Sequence, residues 1–326
     1  MIISRTPLRM SLAGGGSDFE EYYKSGYGAV VSTAIDKFIY ITVNKKFDDL
    51  IRVSYSKTEM VESVAEVEHN IIRESLKLTG IDKKIEVVYM GDIPLGSAGI
   101  GLGSSSALAV GVLNALYALK GSHTSAEQLA SDACKIEIDI LKNPIGKQDQ
   151  YITAYGGFNY IQFNKDGTVY VDPIICKAET KSLLQSKLML FYTGLARVSY
   201  DILLEQRDKT PLNLGYLDKM VGLARDLKEH LIRNKIDEVG KTLHEGWMLK
   251  KKLASGISNP QIDEYYDKAR KAGASGGKIL GAGAGGFLLL YCDEKYQRKV
   301  REALSDLKES PFKLEPQGSK IIYVSN

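Results

Sequence analysis

PLGSAGIGLGSSSALAVG, residues 94–111, is the stretch that decides how this sequence is interpreted. It has five glycines and four serines between a strand-like run, KIEVVYMG, and a helix-like run, ALAVGVLNALYAL. The start of a helix offers unpaired N–H groups and the positive end of a dipole, which together favour a bound anion. Glycines let a phosphate approach the backbone, whereas a serine-capped helix would need far fewer of them. We therefore predict a phosphate-binding loop.

Two common phosphate-binding patterns do not account for this chain. A P-loop requires a lysine after its last glycine, and Ser104 stands there instead. The pattern GxGxxG occurs at Gly281, Gly283 and Gly286, but between a predicted helix and a predicted strand, whereas a dinucleotide site needs the reverse order. A nicotinamide-dependent oxidoreductase is therefore disfavoured.

Composition narrows the functional class further. The 326 residues include 43 basic and 40 acidic ones, a net charge of +3, which favours neither nucleic acid nor a membrane surface as partner. We interpret the run KKK at 250–252 as a solvated helix face. The three cysteines and four histidines show no metal-ligand spacing, and no apolar run approaches the ~18 residues of a membrane span. We expect a protein of the reducing cytosol.

The order of predicted elements indicates an α+β fold. Strand-like runs fill the first ~55 residues, and helices are predicted over Glu66–Leu78, Ser105–Leu119 and a segment that begins at the cap TSAE. After two strands in GGFNYIQFN and TVYVDPI, the second half begins with the strand KLMLFYTG and continues with long helices through 200–255. The glycine segment LGAGAGGF then lies between two strands, and KIIYV is a last strand. We place a domain boundary between residues 165 and 185.

Two further glycine segments leave alternatives open. LGAGAGGF (280–287) is either a tight hairpin or a loop packed against a ligand or another backbone, and four glycines favour the loop. In AGGGSDFEEYY (13–23), Asp18 is either the cap of a helix beginning at Phe19 or part of a site that needs close backbone approach.

Together, RTPLRMSLAGGGSD, PLGSAGIGLGSSSA and KILGAGAGGF resemble, in order, the three signature motifs of the GHMP small-molecule kinases. The resemblance implies a ribosomal-S5-like β/α domain over residues 1–175 and a ferredoxin-like α/β domain with added helices over 176–326. It also implies ATP and Mg²⁺ as cofactors. AGGGSD, GLGSSSA, GKQDQYITAYGG and YTGLARVSYDIL resemble the heptose kinase branch, whose members phosphorylate D-glycero-D-manno-heptose 7-phosphate at the anomeric hydroxyl for surface polysaccharide synthesis.

The resemblance also assigns the ATP and metal residues position by position. The phosphates of ATP are expected on the loop Gly99, Gly101, Gly103, Ser104, Ser105 and Ser106. Ser105 and Glu137 are the implied Mg²⁺ ligands, and Asp149 is the implied catalytic aspartate. The spacing from Glu137 to Asp149 is one residue longer than in mevalonate kinases. Taken without the resemblance, Glu137 is an exposed helix residue and Asp149 the cap of a short helix.

The first motif also resembles that of galactokinases, and there Arg9 aligns with the arginine beside the catalytic aspartate. Because Arg9 lies in an apolar strand, its burial would require an anionic partner. Asp18 aligns with a sugar-binding aspartate, next to Ser17. Gly15 and Gly16 replace a Glu-His pair of galactokinases, which leaves room for a longer sugar. The third motif implies substrate contacts from Gly283, Ala284 and Gly285. Arg197 is either a ligand of a substrate phosphate or a solvated residue at the start of a helix.

Other interpretations remain. Within the family the chain resembles, the acceptor could instead be fucose or galactose. A second alternative is not an enzyme: a catalytically silent regulator of the same fold that binds ATP and a sugar. The presence of Arg9, Glu137 and Asp149 disfavours it. The expected partners are small molecules, and a homodimer stays open.

Overall fold

A computed structural model describes residues 1–93, 100–195 and 199–325 of the chain. Its strands are β1 (Ile2–Ala13), β2 (Tyr27–Lys45), β3 (Ile51–Ser54), β4 (Thr58–Val61), β5 (Ile85–Gly91), β6 (Phe158–Asn164), β7 (Val169–Pro173), β8 (Leu188–Tyr192), β9 (Ala274–Ile279), β10 (Phe287–Cys292), β11 (Lys308–Glu309) and β12 (Lys320–Val324). Its α-helices are α1 (Glu20–Tyr23), α2 (Asn70–Thr79), α3 (Ser104–Leu119), α4 (Ala126–Cys134), α5 (Gln148–Tyr155), α6 (Ala178–Lys187), α7 (Ser199–Asp208), α8 (Leu214–Ile232), α9 (Glu238–Lys250), α10 (Pro260–Ala272) and α11 (Glu294–Ala303).

The first sheet is organised around β2. This strand pairs with β1 along one edge, and along the other with β6 through its first half and β5 through its second half. The runs YGAVVSTAI and KFIYITVNKKF predict two strands with a break between them, and the structure has one strand of 19 residues. Its pairing with β1 shifts register where Pro7 faces Phe38 and Leu8 faces Ile35, so a bulge lies where we expected the break.

Helix α3 packs on this sheet, against β1 and β2, and so sets the position of the glycine loop that precedes it. The approach is close, because a Cβ at Gly111 would lie 2.9 Å from the Thr6 hydroxyl, and the Ser4 hydroxyl donates to the Gly111 carbonyl at 2.7 Å. The start of α3 therefore lies near the middle of β1, where Arg9 is.

The second sheet has the antiparallel order β11-β8-β10-β9. α9 and α10 pack against β9, and Trp247 of α9 is fully buried. The chain then returns to the first sheet, where Leu314 bridges to Ile35 and β12 pairs with β1. This last segment departs from our predicted division of the chain, which placed all of 176–326 in the second domain.

The predicted α+β class is confirmed by these two sheets and their helices. Helix α2 begins at Asn70, later than predicted, because a 3₁₀ turn, Val64–Glu66, precedes it. It ends as predicted, with Gly80 in the left-handed conformation at φ +68°. No helix in the described ranges is both long and apolar enough to cross a lipid bilayer.

Candidate active site

The loop before α3 brings the helix start against two charged side chains. Gly103 is the N-cap of α3 and has φ +74°, a left-handed conformation that favours glycine. A Cβ at Gly103 would lie 3.0 Å from Cγ of Arg9 and 3.3 Å from Oδ2 of Asp149. Gly101 and residues 103–106 line a cleft of about 280 Å³. Gly99, which we also predicted in this loop, lies outside the described residues.

Arg9 and Asp149 form a two-point ion pair in this cleft. Nε and Nη2 of Arg9 donate to the two carboxylate oxygens at 2.6 Å each, and Nη1 donates to the Gly101 carbonyl at 2.6 Å. Arg9 is only 3% exposed, and Asp149 is the anionic partner that its burial requires. The pair thus joins β1, the phosphate loop and the first turn of α5.

Glu137 is buried on a π-helical turn, Lys135–Ile140, that continues α4. Oε2 accepts from Nε2 of Gln150 at 2.7 Å, while Oε1 has no hydrogen-bond partner in the described part of the chain. Burial raises the pKa of Glu137 to about 7, although the nearby hydroxyls of Ser106 and Ser105 oppose the shift. The interpretation of Glu137 as an exposed helix residue is therefore wrong. An unpaired buried oxygen near the Ser105 hydroxyl fits a divalent cation.

The π-helical turn also accounts for the longer spacing noted in the sequence. In a π-turn the hydrogen bond spans five residues instead of four, as from the Leu141 amide to the Ile136 carbonyl at 2.9 Å. Such a turn holds one residue more than an α-helical turn, and Glu137 is buried within it.

Asp18 lies on the cleft and does not cap α1, the helix that follows Phe19. Its Oδ1 accepts from the Gly16 amide at 2.9 Å and its Oδ2 from the Gln148 amide at 3.3 Å, while α1 has no side-chain cap. Burial raises the pKa of Asp18, the backbone hydrogen bond from Gly16 lowers it, and the Asp149 charge raises it further. A Cβ at Gly146 would lie 2.1 Å from Asp18 Oδ2, so the loop before α5 closes tightly over this carboxylate.

The three residues before Asp18 differ in their surroundings. Gly15 lines the cleft, and a Cβ there would meet nothing nearer than 3.7 Å. Gly16 also lines it, but has φ +104°, and a Cβ would lie 2.6 Å from Gln206 Nε2. Ser17 is fully buried and its hydroxyl bonds to the carbonyls of Gly14 and Ala29 at 2.8 and 3.0 Å. Ser17 therefore holds the glycine turn, and its substrate contact stays a prediction.

The third glycine segment turns only its first residues toward the cleft, Gly281 and Ala282. A Cβ at Gly283 would lie 2.4 Å from the Ile257 carbonyl oxygen, and one at Gly285 would lie 2.5 Å from the Leu195 carbonyl oxygen. Ala284 donates its amide to Ile257 at 2.8 Å. Close packing against another backbone thus explains these glycines. The substrate contacts expected of Gly283, Ala284 and Gly285 stay predictions, and Arg197 lies outside the described residues.

Two lysines in the cleft were missed from the sequence. Lys278 of β9 is 4% exposed, and its pKa is lowered to about 8 by burial and by Arg9, with Asp18 acting in the opposite direction. Lys250, at the end of α9, is 6% exposed and donates to the Gly281 carbonyl. The interpretation of KKK as a solvated face is therefore wrong for Lys250. Its sequence signal was the spacing from Leu243 and Trp247, which continues a buried helical stripe.

Several polar atoms of the cleft have no protein partner. Among the described residues, Oγ of Ser11, Oε1 of Gln148 and Oγ of Ser199 are buried and unpaired, and all three residues line the cleft. Buried polar groups are nearly always hydrogen-bonded, so a cluster of unpaired ones indicates a ligand site. The cleft therefore combines a helix start, a carboxylate held by Arg9 and unpaired polar groups suited to a hydroxylated ligand.

Comparison with known proteins agrees with this geometry. Residues 61–157 match the GHMP kinases N terminal domain, and residues 227–309 match the GHMP kinases C terminal. D-glycero-alpha-D-manno-heptose 7-phosphate kinase of Campylobacter jejuni is 31% identical over 93% of both chains. The crystal structure of a D-glycero-D-manno-heptose 1-phosphate kinase from Bacteriodes thetaiotaomicron superposes with a TM-score of 0.82, at 26% identity and full coverage of both chains.

A more distant relative is the L-fucokinase/L-fucose-1-P guanylyltransferase of Bacteroides fragilis, 27% identical over 95% of this chain and 37% of the longer protein. The predicted GHMP kinase fold is confirmed by these matches. The chain belongs to the GHMP kinases and is an ATP-dependent kinase.

Proposed function

We propose that this kinase transfers the γ-phosphate of ATP to the anomeric hydroxyl of D-glycero-D-manno-heptose 7-phosphate. Similarity to the Campylobacter jejuni heptose 7-phosphate kinase along 93% of the chain supports this acceptor. The observation that most supports phosphoryl transfer is the Arg9–Asp149 ion pair, which lies at the start of α3 in a cleft with unpaired polar groups. The 1,7-bisphosphate product would supply nucleotide-activated heptose for surface polysaccharide, and we place the reaction in the cytoplasm.

The donor end of the cleft is the loop and first turn of α3. Backbone N–H groups there, with the hydroxyls of Ser104, Ser105 and Ser106, are suited to the phosphates of ATP. The Ser105 hydroxyl and the unpaired Oε1 of Glu137 are the groups that would hold Mg²⁺. When bound, Mg²⁺ neutralises phosphate charge, which a kinase needs because its transition state is loose and highly charged.

Asp149 is the group we assign to the acceptor hydroxyl. Arg9 holds both carboxylate oxygens at 2.6 Å, which fixes the orientation of the carboxylate without a mobile side chain. From this position Asp149 orients the anomeric hydroxyl and accepts its proton as the new bond to phosphorus forms. Arg9 thus acts on the reaction through the placement of Asp149.

The sugar is expected beyond Asp149, against Asp18 and the glycines before it. Asp18 retains acceptor capacity beyond its two backbone amide contacts, and Ser11 and Gln148 add unpaired polar atoms nearby. Gly15 leaves open space where a side chain would otherwise stand. This combination suits an acceptor with several hydroxyls and an extended chain.

A panel of acceptors tests the proposal. ADP release is measured with heptose 7-phosphate, heptose 1-phosphate, fucose, galactose and mannose, and we expect the highest kcat/KM with heptose 7-phosphate. A preference for fucose, which the similarity to the fucokinase makes the second candidate, would overturn the proposed acceptor. Binding of ATP without turnover of any sugar would instead favour the silent regulator.

A further inference from the structure

Lys278 is a buried cation of the cleft that the mechanism above leaves unused. It lies in β9, lines the cleft and is 4% exposed. Within the described ranges it has no hydrogen bond and no ion pair. Burying an ammonium group without a counter-charge is costly, so such a group is retained where an anion will meet it.

The charge of Arg9, by contrast, is already compensated. Two of its nitrogens donate to Asp149 and the third to the Gly101 carbonyl, each at 2.6 Å. The guanidinium and carboxylate together carry no net charge. Arg9 therefore holds Asp149 in place and has little positive charge left for an incoming phosphoryl group.

Lys278 lies in the electric field of the reacting groups. Its pKa is displaced by Arg9 in one direction and by Asp18 in the other, so both charges act on it. Arg9 is bonded to Asp149, and Asp18 accepts from the amide of Gln148, the residue before Asp149. Lys278 thus lines the same cleft as Asp149, the group assigned to the acceptor hydroxyl.

On the basis of the phosphoryl transfer proposed above, we infer that Lys278 supplies the positive charge that stabilises the γ-phosphoryl group during transfer. In a P-loop, the lysine after the last glycine supplies this charge, and this chain has Ser104 at that place. Lys278 would supply the charge instead.

Transfer of the phosphoryl group needs no reactant besides ATP and the acceptor. The acceptor oxygen forms a bond to the γ-phosphorus as the bond from that phosphorus to the β,γ-bridging oxygen breaks. The electron pair leaves with ADP, and the proton of the acceptor hydroxyl passes to Asp149. In the loose transition state the charge of the transferring group is spread over its three equatorial oxygens, and a fixed ammonium beside them stabilises it there.

The competing assignment for Lys278 is the phosphate that the sugar already carries. The two assignments predict different dependence on the acceptor. A contact to the γ-phosphoryl group acts on every acceptor alike, whereas a contact to the sugar phosphate acts only on the phosphorylated sugar. The experiment is therefore analogous to a double-mutant cycle: one change is a substitution of Lys278, and the other is removal of the phosphate from the acceptor sugar.

The variants are Lys278→Met, which removes the charge at similar length, and Lys278→Arg, which keeps it. Lys252→Met is the matched control, because Lys252 is exposed, lies near Lys250 in sequence and has Nζ 5.2 Å above the Tyr216 ring. Met in place of a buried unpaired ammonium removes a desolvation cost, so the fold should persist. Thermal unfolding checks this, and Lys278→Gln replaces the Met variant if it does not fold.

Kinetics are measured with D-glycero-D-manno-heptose 7-phosphate and with the same heptose lacking the phosphate. We expect Lys278→Met to lower kcat about 100-fold or more with either acceptor, the loss typical of one transition-state donor. KM of the Met variant for the acceptor should stay within about 3-fold of the wild-type value. The kcat of Lys278→Arg should be at least about 10-fold higher than that of Lys278→Met. Lys252→Met should resemble the wild type.

A loss confined to the phosphorylated heptose would overturn the inference and assign Lys278 to the sugar phosphate. A kcat within about 3-fold of wild type would also overturn it. If the wild-type enzyme turns over neither heptose, the proposed acceptor is wrong, but Lys278 is still tested by the affinity for Mg²⁺·ADP with aluminium fluoride, a mimic of the transferring group. We then expect at least about 10-fold weaker binding to the Met variant, and equal binding would contradict the assignment.

Discussion

Arg9 of β1 and Asp149 of α5, separated by 140 residues in sequence, are joined by two hydrogen bonds of 2.6 Å between guanidinium and carboxylate. Gly103 approaches both closely enough that a Cβ would lie 3.0 Å from Arg9 and 3.3 Å from Asp149. The pair therefore couples the position of the Asp149 carboxylate, which we propose orients the acceptor, to the start of α3, where we propose that the phosphates of ATP bind. This coupling is the structural basis of the predictions below.

Asp149→Asn should lower kcat at least about 100-fold, since the amide cannot accept the hydroxyl proton as a carboxylate does. ATP affinity, measured by calorimetry, should change little because the donor groups at the start of α3 remain. Asp139→Asn, an exposed carboxylate on the π-helical turn, is the control and should retain wild-type kinetics. A near-normal kcat for Asp149→Asn would remove this residue from the catalytic role.

Arg9→Ala tests whether Asp149 needs its partner. Loss of the ion pair leaves a carboxylate without its two guanidinium contacts, so we expect kcat to fall with Asp149 still present. Arg9→Lys keeps the charge but cannot form the two-point contact, and it should recover only part of the activity. Full activity of the Lys variant would show that charge alone is required at this position.

Glu137→Gln should stabilise the metal-free protein at pH 8 and abolish the response to Mg²⁺. The pKa of buried Glu137 is about 7, above its ordinary value of 4.5, so the native state binds more protons and loses stability as pH rises between these values. At pH 8 this penalty is complete, at most about 3 kcal/mol, and the neutral amide avoids it.

Thermal unfolding in a chelator and in Mg²⁺·ADP measures both effects. The melting temperature of the Gln variant should exceed that of the wild type in chelator at pH 8 and match it more closely at pH 5. Added Mg²⁺ should raise the melting temperature of the ADP-bound wild type only. Ser105→Ala should weaken binding of Mg²⁺·ATP, with Ser122→Ala, an exposed serine beyond the end of α3, as the control. An unchanged response to Mg²⁺ in Glu137→Gln would contradict the metal assignment.

Gly15→Val should raise KM for heptose 7-phosphate with little loss of stability. A Cβ at Gly15 has no neighbour within 3.7 Å, so the added bulk enters the cleft. Gly16→Ala is different, because φ +104° and a contact of 2.6 Å with Gln206 make any side chain strained there, and it should lower the melting temperature instead. An unchanged KM in Gly15→Val would refute the idea that this glycine makes room for the sugar.

The pH profile tests the charge of Lys278. Its pKa is about 8 in the unliganded protein, so kcat/KM should fall as pH rises through this value and the ammonium is lost. The charges of Arg9 and Asp18 act on it, and Asp149 and Lys250 line the same cleft. Lys278→Arg isolates its contribution, because a guanidinium stays protonated, and the alkaline fall should move to higher pH. The same alkaline fall in the Arg variant would assign it to another group.

The local motifs were predictable because a cluster of glycines and serines in the sequence marks a place where the backbone takes an unusual conformation or approaches another group closely. The start of α3 and the close approach of Gly283 and Gly285 to other backbone follow from such clusters. The need of Arg9 for an anionic partner follows instead from its place in an apolar strand. Lys278 could have been found by the argument applied to Arg9, since it is a single charged residue in a strand of small and apolar ones. Its lack of a partner depends on residues from distant parts of the chain.

Other features depend on pairings that no local pattern shows. The return of β12 to β1 joins the two ends of the chain, and only the folded sheet reveals it. The unpaired oxygen of Glu137 depends on a π-helical turn, which shares the composition of an ordinary helix. Likewise, the role of Ser17 in holding the turn of Gly14 depends on its contact with Ala29 of β2.

Phosphorus NMR of the reaction product tests the central proposal. The enzyme is incubated with Mg²⁺·ATP and D-glycero-D-manno-heptose 7-phosphate, and the new phosphorus resonance is correlated with the sugar protons. We predict one new phosphate coupled to the anomeric proton, formed in equal amount to ADP, with the 7-phosphate intact. A new phosphate coupled to any other sugar proton, or no product while ATP remains bound, would contradict it.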